Sequence, residues 1–238
     1  MRFFFDNTIS GDHHILSEEE SNHCARVLRL KIGDEIFIAD GKGNLYRSQI
    51  ENIDNKRTSV HIVETIAEYN KLPYHLHIAI APTKNIDRME WFLEKATEIG
   101  ISEITPIICH YSERKVIKTD RMNRIVEAAM KQSYKAYHPT INDMVKFSDF
   151  VKNDCSEQKF IAHCEDNDTR KYLADIVRPK TSVTILIGPE GDFSHDEINL
   201  ALRHYTPVTL GNSRLRTETA ALVACDIVSI INQISICQ

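Results

Sequence analysis

Apolar and polar residues alternate over short stretches in the first 70 residues, which is the pattern of half-buried β-strands. The predicted strands cover residues 3–5, 35–40, 44–50 and 59–64. The second and third are joined by DGKGN at 40–44, whose glycines favour a hairpin turn. One helix interrupts the pattern and begins at Ser17, with Glu20 three residues further on as in a capping box. Short strands with little helix predict a small β-barrel.

From residue 75 onwards the pattern changes to strands that alternate with helices. The predicted strands are 75–81, 104–109, 159–164, 182–188 and 207–210. The first helix is predicted over 86–99, because its apolar residues fall on one face and Gly100 can end it. A second helix is predicted over roughly 120–136. This alternation favours a parallel sheet covered by helices on both faces, so the expected fold class is α/β.

A polar stretch with a proline, AEYNKLP at 67–73, separates the two patterns. We therefore expect a barrel domain at 1–70 and an α/β domain at 74–238. The amino terminus lacks the apolar stretch of a secretory signal, so a cytoplasmic protein without a membrane partner is expected. The six cysteines are scattered without a C-x-x-C pair, and we expect them to be reduced core residues.

The formal net charge of −5 argues against a general affinity for nucleic acid. One segment departs from this average, since residues 111–135 contain seven basic and three acidic side chains, a net charge of +4. Two interpretations of that segment stay open, a solvated helix face or a surface that contacts phosphates.

The loops that follow strands of a parallel sheet are the expected place for chemistry, because ligands bind beyond the carboxyl ends of such strands. Three loops stand out, those after the predicted strands at 159–164, 182–188 and 207–210. The first ends in Glu165, and the second contains Gly188 and Gly191, which permit positive φ or close approach of a ligand. The third contains Gly211 and leads to a helix with Thr217 as its N-cap. Together they could enclose a small molecule, although each alone could be a plain turn.

Missing motifs exclude several other classes of site. The strand at 75–81 is followed by PTKNID, which has no glycine, so a dinucleotide-binding fold and a Rossmann-type methyltransferase are excluded. The chain also has no P-loop motif. His163 and Cys164 are adjacent rather than spaced as ligands, and His13 and His14 are expected in a polar loop, so no metal is expected.

Five motifs, in order along nearly the whole chain, carry a resemblance to a known family. They are H-x-x-x-V-L-R at 23–29, the stretch from Lys84 to Gly100 that ends in KATEIG, EAAMKQS at 127–133, IGPEG at 187–191 and LGNSRLRTETAA at 210–221. With these motifs the chain resembles the bacterial 16S ribosomal RNA uracil-N3 methyltransferases of the SPOUT superfamily. The resemblance implies a PUA-like RNA-binding barrel followed by an α/β domain with a deep trefoil knot. It also implies S-adenosylmethionine as methyl donor, a homodimer through the knotted domain, and 16S ribosomal RNA or the assembled small ribosomal subunit as partner.

The same resemblance assigns roles to residues. The donor site would be formed by His163, Cys164, Glu165, Ile187, Gly188, Glu190, Gly191, Leu210, Gly211, Leu215, Arg216, Thr219 and Ala220. RNA contacts would come from Arg2, His23, Arg26, Arg29, Lys84, Arg114 and Lys131. Methylation of uracil N3 needs a cation near the uracil oxygens and an acceptor for the N3 proton, for which Arg216 and Glu218 are the catalytic candidates. Glu218 has the alternative role of complementing a helix dipole, and Arg214 is expected to be a solvated neighbour.

Two positions depart from the family pattern. Asp192 stands where the family usually carries a second glycine, and Tyr134-Lys135 stand where it usually carries Gly-Arg. Lys135 lacks the paired donors of arginine, which weakens the case for an RNA contact there. Two other functions stay open: a SPOUT enzyme that methylates another ribosomal or transfer RNA position, and an RNA-binding protein without turnover.

Overall fold

The computed structural model describes residues 1–165 and 170–236. The chain forms two compact units. The first contains Met1–Lys71 and a later segment, Glu127–His138, and the second contains Leu72–Val126 together with the described chain from Pro139 onwards. The second predicted helix, observed at Thr119–Ser133, therefore contributes its C-terminal part to the first unit.

The first unit is built on a five-stranded sheet. Its elements are β1 (Phe3–Phe5), β2 (His13–Ile15), α1 (Glu18–Asn22), a π-helical turn (His23–Val27), β3 (Glu35–Ala39), β4 (Leu45–Asn52) and β5 (Ser59–Ile66). The strand order is β1-β3-β4-β5-β2, in which β1 and β3 are parallel and the other pairs antiparallel. The four predicted strands are confirmed. The predicted polar loop at His13 and His14 is wrong, because both residues lie on β2 and His14 Nε2 is 2.9 Å from Oδ2 of the buried Asp6.

The core of the first unit is apolar and is extended by the later segment. Its largest fully buried side chains are Phe4, Leu16, Ile36, Ile38, Leu45 and Ile50. Ser17 caps α1 as predicted by accepting a hydrogen bond from Glu20 N at 3.2 Å. Gly43 has a φ of 105°, and a Cβ atom there would lie 2.2 Å from the ring of Tyr137. The hairpin glycine is therefore required by packing against the Glu127–His138 segment as well as by the turn.

The second unit is a parallel α/β sheet. Its elements are β6 (His75–Ile80), α2 (Ile86–Ile99), β7 (Glu103–Ile108), α3 (Thr119–Ser133, in part), β8 (Thr140–Ile141), β9 (Val145–Lys146), α4 (Phe147–Asn153), β10 (Gln158–Ala162), β11 (Lys171–Tyr172), α5 (Leu173–Ile176), β12 (Ser182–Ile187), α6 (His195–Ala201), β13 (Thr206–Thr209) and α7 (Thr217–Ile236). The strand order is β11-β13-β10-β12-β6-β7-β8, and β9 also pairs with β7. Gly100 ends α2 with a φ of 127°, so the predicted helix at 86–99 and its stop are confirmed.

Helices cover both faces of this sheet, as predicted. Ala79 and Leu186 belong to a buried cluster that also contains Phe147 of α4 and Ile198 of α6. Alternate strand residues point to the opposite face, and Ile78 is fully buried there too. The long helix α7 packs against β6, β12 and α2. Its segment Thr217–Ser235 is long and apolar enough to cross a membrane, but half of it is buried within this protein, and packing on the sheet accounts for its composition.

The cysteines only partly follow the prediction of buried core residues. The five described cysteines are free, and Cys24, Cys109 and Cys225 are buried. Burial raises the pKa of the Cys24 thiol to about 12, which keeps it protonated and unreactive. Cys155 and Cys164 are exposed, because they follow the ends of α4 and β10 rather than lying within them. Cys237 lies outside the described residues.

Candidate functional site

The strand order brings the three loops predicted from the sequence to one edge of the sheet. β10 pairs in parallel with β12 on one side and with β13 on the other, so that Ala162 lies beside both Ile187 and Val208. The carboxyl ends of all three strands therefore meet, and the loops that leave them are neighbours. In a parallel sheet this is the edge at which ligands bind.

A cavity of about 470 Å³ lies among these loops. It is lined by Arg88, Ala162, Cys164, Ile187, Gly188, Pro189, Glu190, Gly191, Asp192, Arg214, Leu215, Arg216, Thr217 and Ala220. A smaller cavity of about 100 Å³ shares five of these residues and adds His163, Arg170, Val208, Thr209, Leu210, Gly211 and Ser213. The volume suits a nucleoside-sized ligand. Of the predicted donor-site residues, Glu165 and Thr219 line neither cavity, and Glu165 instead lies 3.1 Å from His195 Nδ1.

Another cavity of similar size, about 490 Å³, lies near the amino ends of β6, β7 and β12. Its polar groups bind one another: Asn142 Nδ2 donates to Glu103 Oε1 at 2.6 Å and to Thr105 Oγ1 at 2.7 Å. His77 Nε2 lies 2.7 Å from the same Thr105 oxygen. Because these groups already bind one another and the cavity lies at the opposite end of the strands, the cavity at the carboxyl edge is the better candidate for the functional site.

Three glycines shape the loops of the site in two different ways. A Cβ atom at Gly188 would lie 3.1 Å from the ring of Phe193, and one at Gly191 would lie 3.1 Å from Tyr111 Cβ, so both positions are tight. Gly211 has open space around it but a φ of 139°, a conformation that side chains rarely adopt. The loops after β12 and β13 therefore depend on glycine for packing and for backbone conformation, respectively.

Asp192 replaces a family glycine at a position with positive φ. Its φ of 64° lies in the left-handed region, which aspartate tolerates better than most residues. Its Oδ2 accepts a hydrogen bond from Cys164 N at 2.7 Å, so the side chain links the loop after β12 to the loop after β10. Asp192 therefore adopts a left-handed backbone and connects the two loops across the site.

His163 presents two unused hydrogen-bonding groups beside the smaller cavity. The residue is 4% exposed, and both ring nitrogens are buried without a hydrogen-bond partner among the described residues. Loss of solvation on burial lowers the pKa of His163, so the ring is neutral at physiological pH and offers one donor and one acceptor. Buried polar groups are normally paired, so the unpaired imidazole beside the smaller cavity makes His163 a candidate ligand contact.

The two predicted catalytic residues occupy different environments. Arg216 is exposed and lines the larger cavity, directly before the first residue of α7. Glu218 is 6% exposed and does not line the cavity, and its Oε2 has no hydrogen-bond partner among the described residues. Its other oxygen, Oε1, lies 3.8 Å from Nε of Arg88. Arg88 lines the cavity as well and was not selected from the sequence, although it lies within the Lys84–Gly100 motif.

The first-unit residues that are predicted to contact RNA differ in whether their side chains already contact other residues of the protein. Arg2 pairs with Asp34 at 3.2 Å, and Lys131 donates to the buried Glu20 at 2.8 Å. His23 packs edge-on against Phe4, with 5.8 Å between ring centroids. Arg26 and Arg29 are exposed, and neither forms an ion pair with another residue in the described part of the chain. These two arginines are therefore the most available cations of the set.

In the second unit the side chains of the two predicted RNA contacts, Lys84 and Arg114, are bound to other residues of the protein. Arg114 Nη2 donates to the carbonyl of Lys84 at 2.7 Å, and its Nε donates to the carbonyl of Thr83 at 3.1 Å. The Lys84 ammonium pairs with Glu113 at 2.8 Å. These contacts fix the loop after β6. Arg214, expected to be a solvated neighbour, is exposed but lines both cavities.

Comparisons with known proteins agree with this architecture. Residues 70–229 match the family described as RNA methyltransferase domain, and residues 16–63 match the family described as RNA methyltransferase PUA domain. The ribosomal RNA small subunit methyltransferase E of Aquifex aeolicus is 31% identical, over 97% of this chain and 99% of the relative. A probable rRNA-methyltransferase from Porphyromonas gingivalis is 38% identical with a TM-score of 0.92, over 99% of this chain and 100% of that structure. A ribosomal RNA small subunit methyltransferase E from Neisseria gonorrhoeae, bound to S-adenosyl methionine, is 26% identical with a TM-score of 0.86 over 98% of both chains.

A parallel α/β domain with a ligand cavity at its carboxyl edge, joined to a small PUA-type sheet, defines an RNA methyltransferase. The chain belongs to the RNA methyltransferase family that includes the ribosomal RNA small subunit methyltransferases E. The family and the α/β fold class predicted from the sequence motifs are confirmed.

Proposed function

We propose that this protein transfers a methyl group from S-adenosylmethionine to N3 of a uridine in 16S ribosomal RNA. The single observation that carries the proposal is the cavity at the carboxyl edge, where the buried, unpartnered His163 imidazole and the exposed Arg216 lie on neighbouring loops. Relatives named as small subunit methyltransferases E support the substrate class, and the N. gonorrhoeae relative supports the methyl donor.

The residues of the cavity fit the proposed donor. The unpaired nitrogens of His163 can bond polar groups of the adenosine, and Gly188 and Gly191 line the larger cavity without side chains that would cover their main-chain groups. Leu215 and Ala220 supply the apolar wall that an adenine ring requires. When bound, S-adenosylmethionine supplies a methyl group activated by a positively charged sulfur. Glu165 and Thr219 stay proposed donor contacts, although neither lines the cavity.

Two side chains would carry out the chemistry on the base. Removal of the N3 proton leaves negative charge on the uracil oxygens, and the planar fork of Arg216 can donate two hydrogen bonds to that charge. Glu218 is the proposed proton acceptor, since one of its oxygens is free of partners among the described residues and it lies one residue beyond the cavity-lining Thr217. Arg88 Nε lies 3.8 Å from the other Glu218 oxygen and would orient that carboxylate.

RNA binding would be shared by both units. N3 is hidden in a base pair, so the target uridine has to be unpaired or flipped out of a helix. Arg26 and Arg29 would contact phosphates, and the exposed side chains of Val27 and Ile32 beside them could contact bases. Arg2, His23, Lys84, Arg114 and Lys131 stay proposed RNA contacts, although each of them also contacts another residue of the protein. We propose 1–70 as the RNA-binding domain and 74–238 as the catalytic domain, acting in the cytoplasm on free RNA or the assembled subunit.

The proposed active form is a knotted homodimer. The family motifs at 187–191 and 210–221, which form the loops after β12 and β13, support a trefoil knot. Ile230 and Ile234 are one turn apart on α7 and are 44% and 52% exposed, and a second copy of the chain would cover them.

Mass spectrometry of digested 16S ribosomal RNA from a strain that lacks the gene tests the reaction. Loss of 3-methyluridine, restored by the wild-type gene and not by an Arg216→Ala gene, is the expected result. Unchanged 3-methyluridine would refute the target position and favour another RNA. Calorimetry with S-adenosylmethionine separates the remaining alternative, since a protein that binds RNA without turnover has no need of the donor.

A further inference from the structure

Three neighbouring strands of the first unit bring two histidines and a glutamate together. His13 of β2 lies directly opposite His61 of the antiparallel strand β5, and their ring centroids are 4.9 Å apart. Glu51 of β4, the strand on the other side of β5, places Oε2 3.0 Å from His13 Nδ1. One potential ligand atom from each of the three side chains lies within 4.8 Å of the other two, and the group is open to solvent.

The strand pairing places these three residues next to one another without help from an ion. Opposite residues of an antiparallel pair have their Cβ atoms about 4.5–5.5 Å apart, so the strand register brings the two histidines within reach of each other. His61 Nδ1 also lies 3.1 Å from the backbone oxygen of Asp12. An imidazole that donates one ring N–H to a carbonyl is fixed in the tautomer that presents its other nitrogen as a lone pair, which is the usual arrangement around a bound metal.

The chemistry of the group selects a class of ion. Two imidazole nitrogens and one carboxylate form a ligand set that suits Zn²⁺ and similar borderline transition ions rather than Mg²⁺ or Ca²⁺, which prefer oxygen alone. A plain surface ion pair between His13 and Glu51 would contribute little, and it would not explain a second histidine in ring contact with the first.

We propose that His13, Glu51 and His61 form a transition-metal site, with Zn²⁺ as the first candidate and a fourth position open to water. This differs from the sequence-based expectation of no metal, which placed His13 in a loop and did not foresee the pairing with His61. The site would fasten β2, the three-residue strand at one end of the sheet order, to β5 and β4. Its effect would therefore be on the stability of the barrel, and it does not depend on the proposed methylation.

The test uses the full-length protein, freed of metal with a chelator and kept reduced, and titrated with ZnCl₂ by calorimetry. We expect one Zn²⁺ per chain in the wild type and loss of that binding in His13→Ala and in His61→Ala. His195→Ala is the matched control, because His195 forms a similarly exposed pair with Glu165, with side-chain exposures of 72% and 41% against 65% and 41% for His13 and Glu51. The control should bind Zn²⁺ as the wild type does.

Two further measurements distinguish Zn²⁺ binding at this site from Zn²⁺ binding elsewhere on the protein. Co²⁺ in place of Zn²⁺ should give the visible bands of a site with nitrogen and oxygen ligands, without the intense near-ultraviolet band that a thiolate from exposed Cys155 or Cys164 would add. Zn²⁺ should raise the Tm of the wild type and leave that of His61→Ala unchanged, since the ion binds the folded chain. Absence of Zn²⁺ binding by the wild type, or unchanged binding by the folded double variant His13→Ala/His61→Ala, would overturn the proposal.

Discussion

Asp192 Oδ2 accepts a hydrogen bond from the backbone N–H of Cys164 at 2.7 Å, and both residues line the candidate donor cavity. The bond joins two loops that are 28 residues apart in the sequence, at a position where φ is 64°. Asp192 therefore combines two properties: the residue tolerates a left-handed backbone, and its carboxylate binds the neighbouring loop.

Substitution of Asp192 tests both properties, the tolerance of positive φ and the hydrogen bond to the neighbouring loop. Asp192→Ala should weaken binding of S-adenosylmethionine about tenfold, or ~1.4 kcal/mol, because the loops lose their link and the backbone conformation becomes unfavourable. Asp192→Asn should bind nearly as the wild type, because asparagine accepts the same hydrogen bond and also tolerates positive φ. Calorimetry measures both affinities, with the exposed Asp196→Ala as control. Equal affinity of the alanine and asparagine variants would show that the link has no role in donor binding.

Arg216→Ala should abolish methylation of RNA while leaving the oligomeric state close to that of the wild type. Loss of one preorganised donor to developing negative charge typically lowers kcat about 10²–10³-fold. Arg216→Lys should recover only part of this, since lysine keeps the charge but not the planar fork. Single-turnover methylation with labelled donor measures the rates, and exposed Arg203→Ala serves as control. Turnover within a few fold of the wild type in Arg216→Ala would remove Arg216 from the reaction.

The roles of Glu218 and Arg88 in the reaction can be tested separately with the variants Glu218→Gln and Arg88→Ala. Glu218→Gln retains an oxygen near Arg88 but cannot take a proton, so kcat should fall while KM for RNA stays the same, if Glu218 is the acceptor. Arg88→Ala removes the guanidinium that lies 3.8 Å from Glu218 Oε1, so kcat should also fall because the carboxylate loses the group that orients it. Normal kcat in Glu218→Gln would assign the residue to the first turn of α7 as a structural carboxylate.

The sequence could predict the parts of this structure that depend on local pattern. α2 was predicted with its observed bounds, because its apolar face is continuous and Gly100 supplies the positive φ that ends it. The three loops of the site were found because β10, β12 and β13 are short apolar strands that are followed by turn residues. The family motifs then supplied the identity of the ligand, which no local pattern contains.

Features that depend on distant residues could not be predicted in this way. β2 has only three residues, two of them histidines, and it is defined by its pairing with β5, in which His13 lies opposite His61, 48 positions away. The approach of Arg88 to Glu218 spans 130 positions and has no periodicity. From the sequence, Arg114 is a cation in a basic segment and is predicted to contact RNA. In the structure its guanidinium donates hydrogen bonds to the backbone carbonyls of Thr83 and Lys84. This could not be predicted, because the sequence does not show which backbone carbonyls lie near a side chain.

Stability should depend on pH through the buried imidazoles. Burial lowers the pKa of His163 below its usual value, so the unfolded chain binds the proton more readily than the folded one. The stabilisation is therefore complete above about pH 6.5 and is lost as the pH falls towards the pKa of the folded state. His77 shifts in the same direction, with burial as the main cause, and adds to the effect. We expect Tm to fall between pH 7.5 and 5, with a smaller fall in His163→Gln and an unchanged one in exposed His195→Ala. Identical curves for wild type and His163→Gln would contradict this.

Tyr134 stands where the family pattern predicts glycine, so its substitution tests what a side chain at this position contributes to the stability of the first unit. Its φ is 55°, which costs about 1–2 kcal/mol for a residue with a Cβ atom, and its ring packs edge-on against Phe3 with centroids 5.6 Å apart. The aromatic contact offsets about 0.5–1.5 kcal/mol of that cost. Tyr134→Gly should therefore change the free energy of unfolding by less than about 1 kcal/mol, because both terms disappear together. Tyr134→Ala keeps the strained backbone but loses the contact, so it should be less stable than Tyr134→Gly by about 1 kcal/mol or more in urea unfolding. Equal stability of the two variants would mean that the backbone relaxes at this position when the ring is removed.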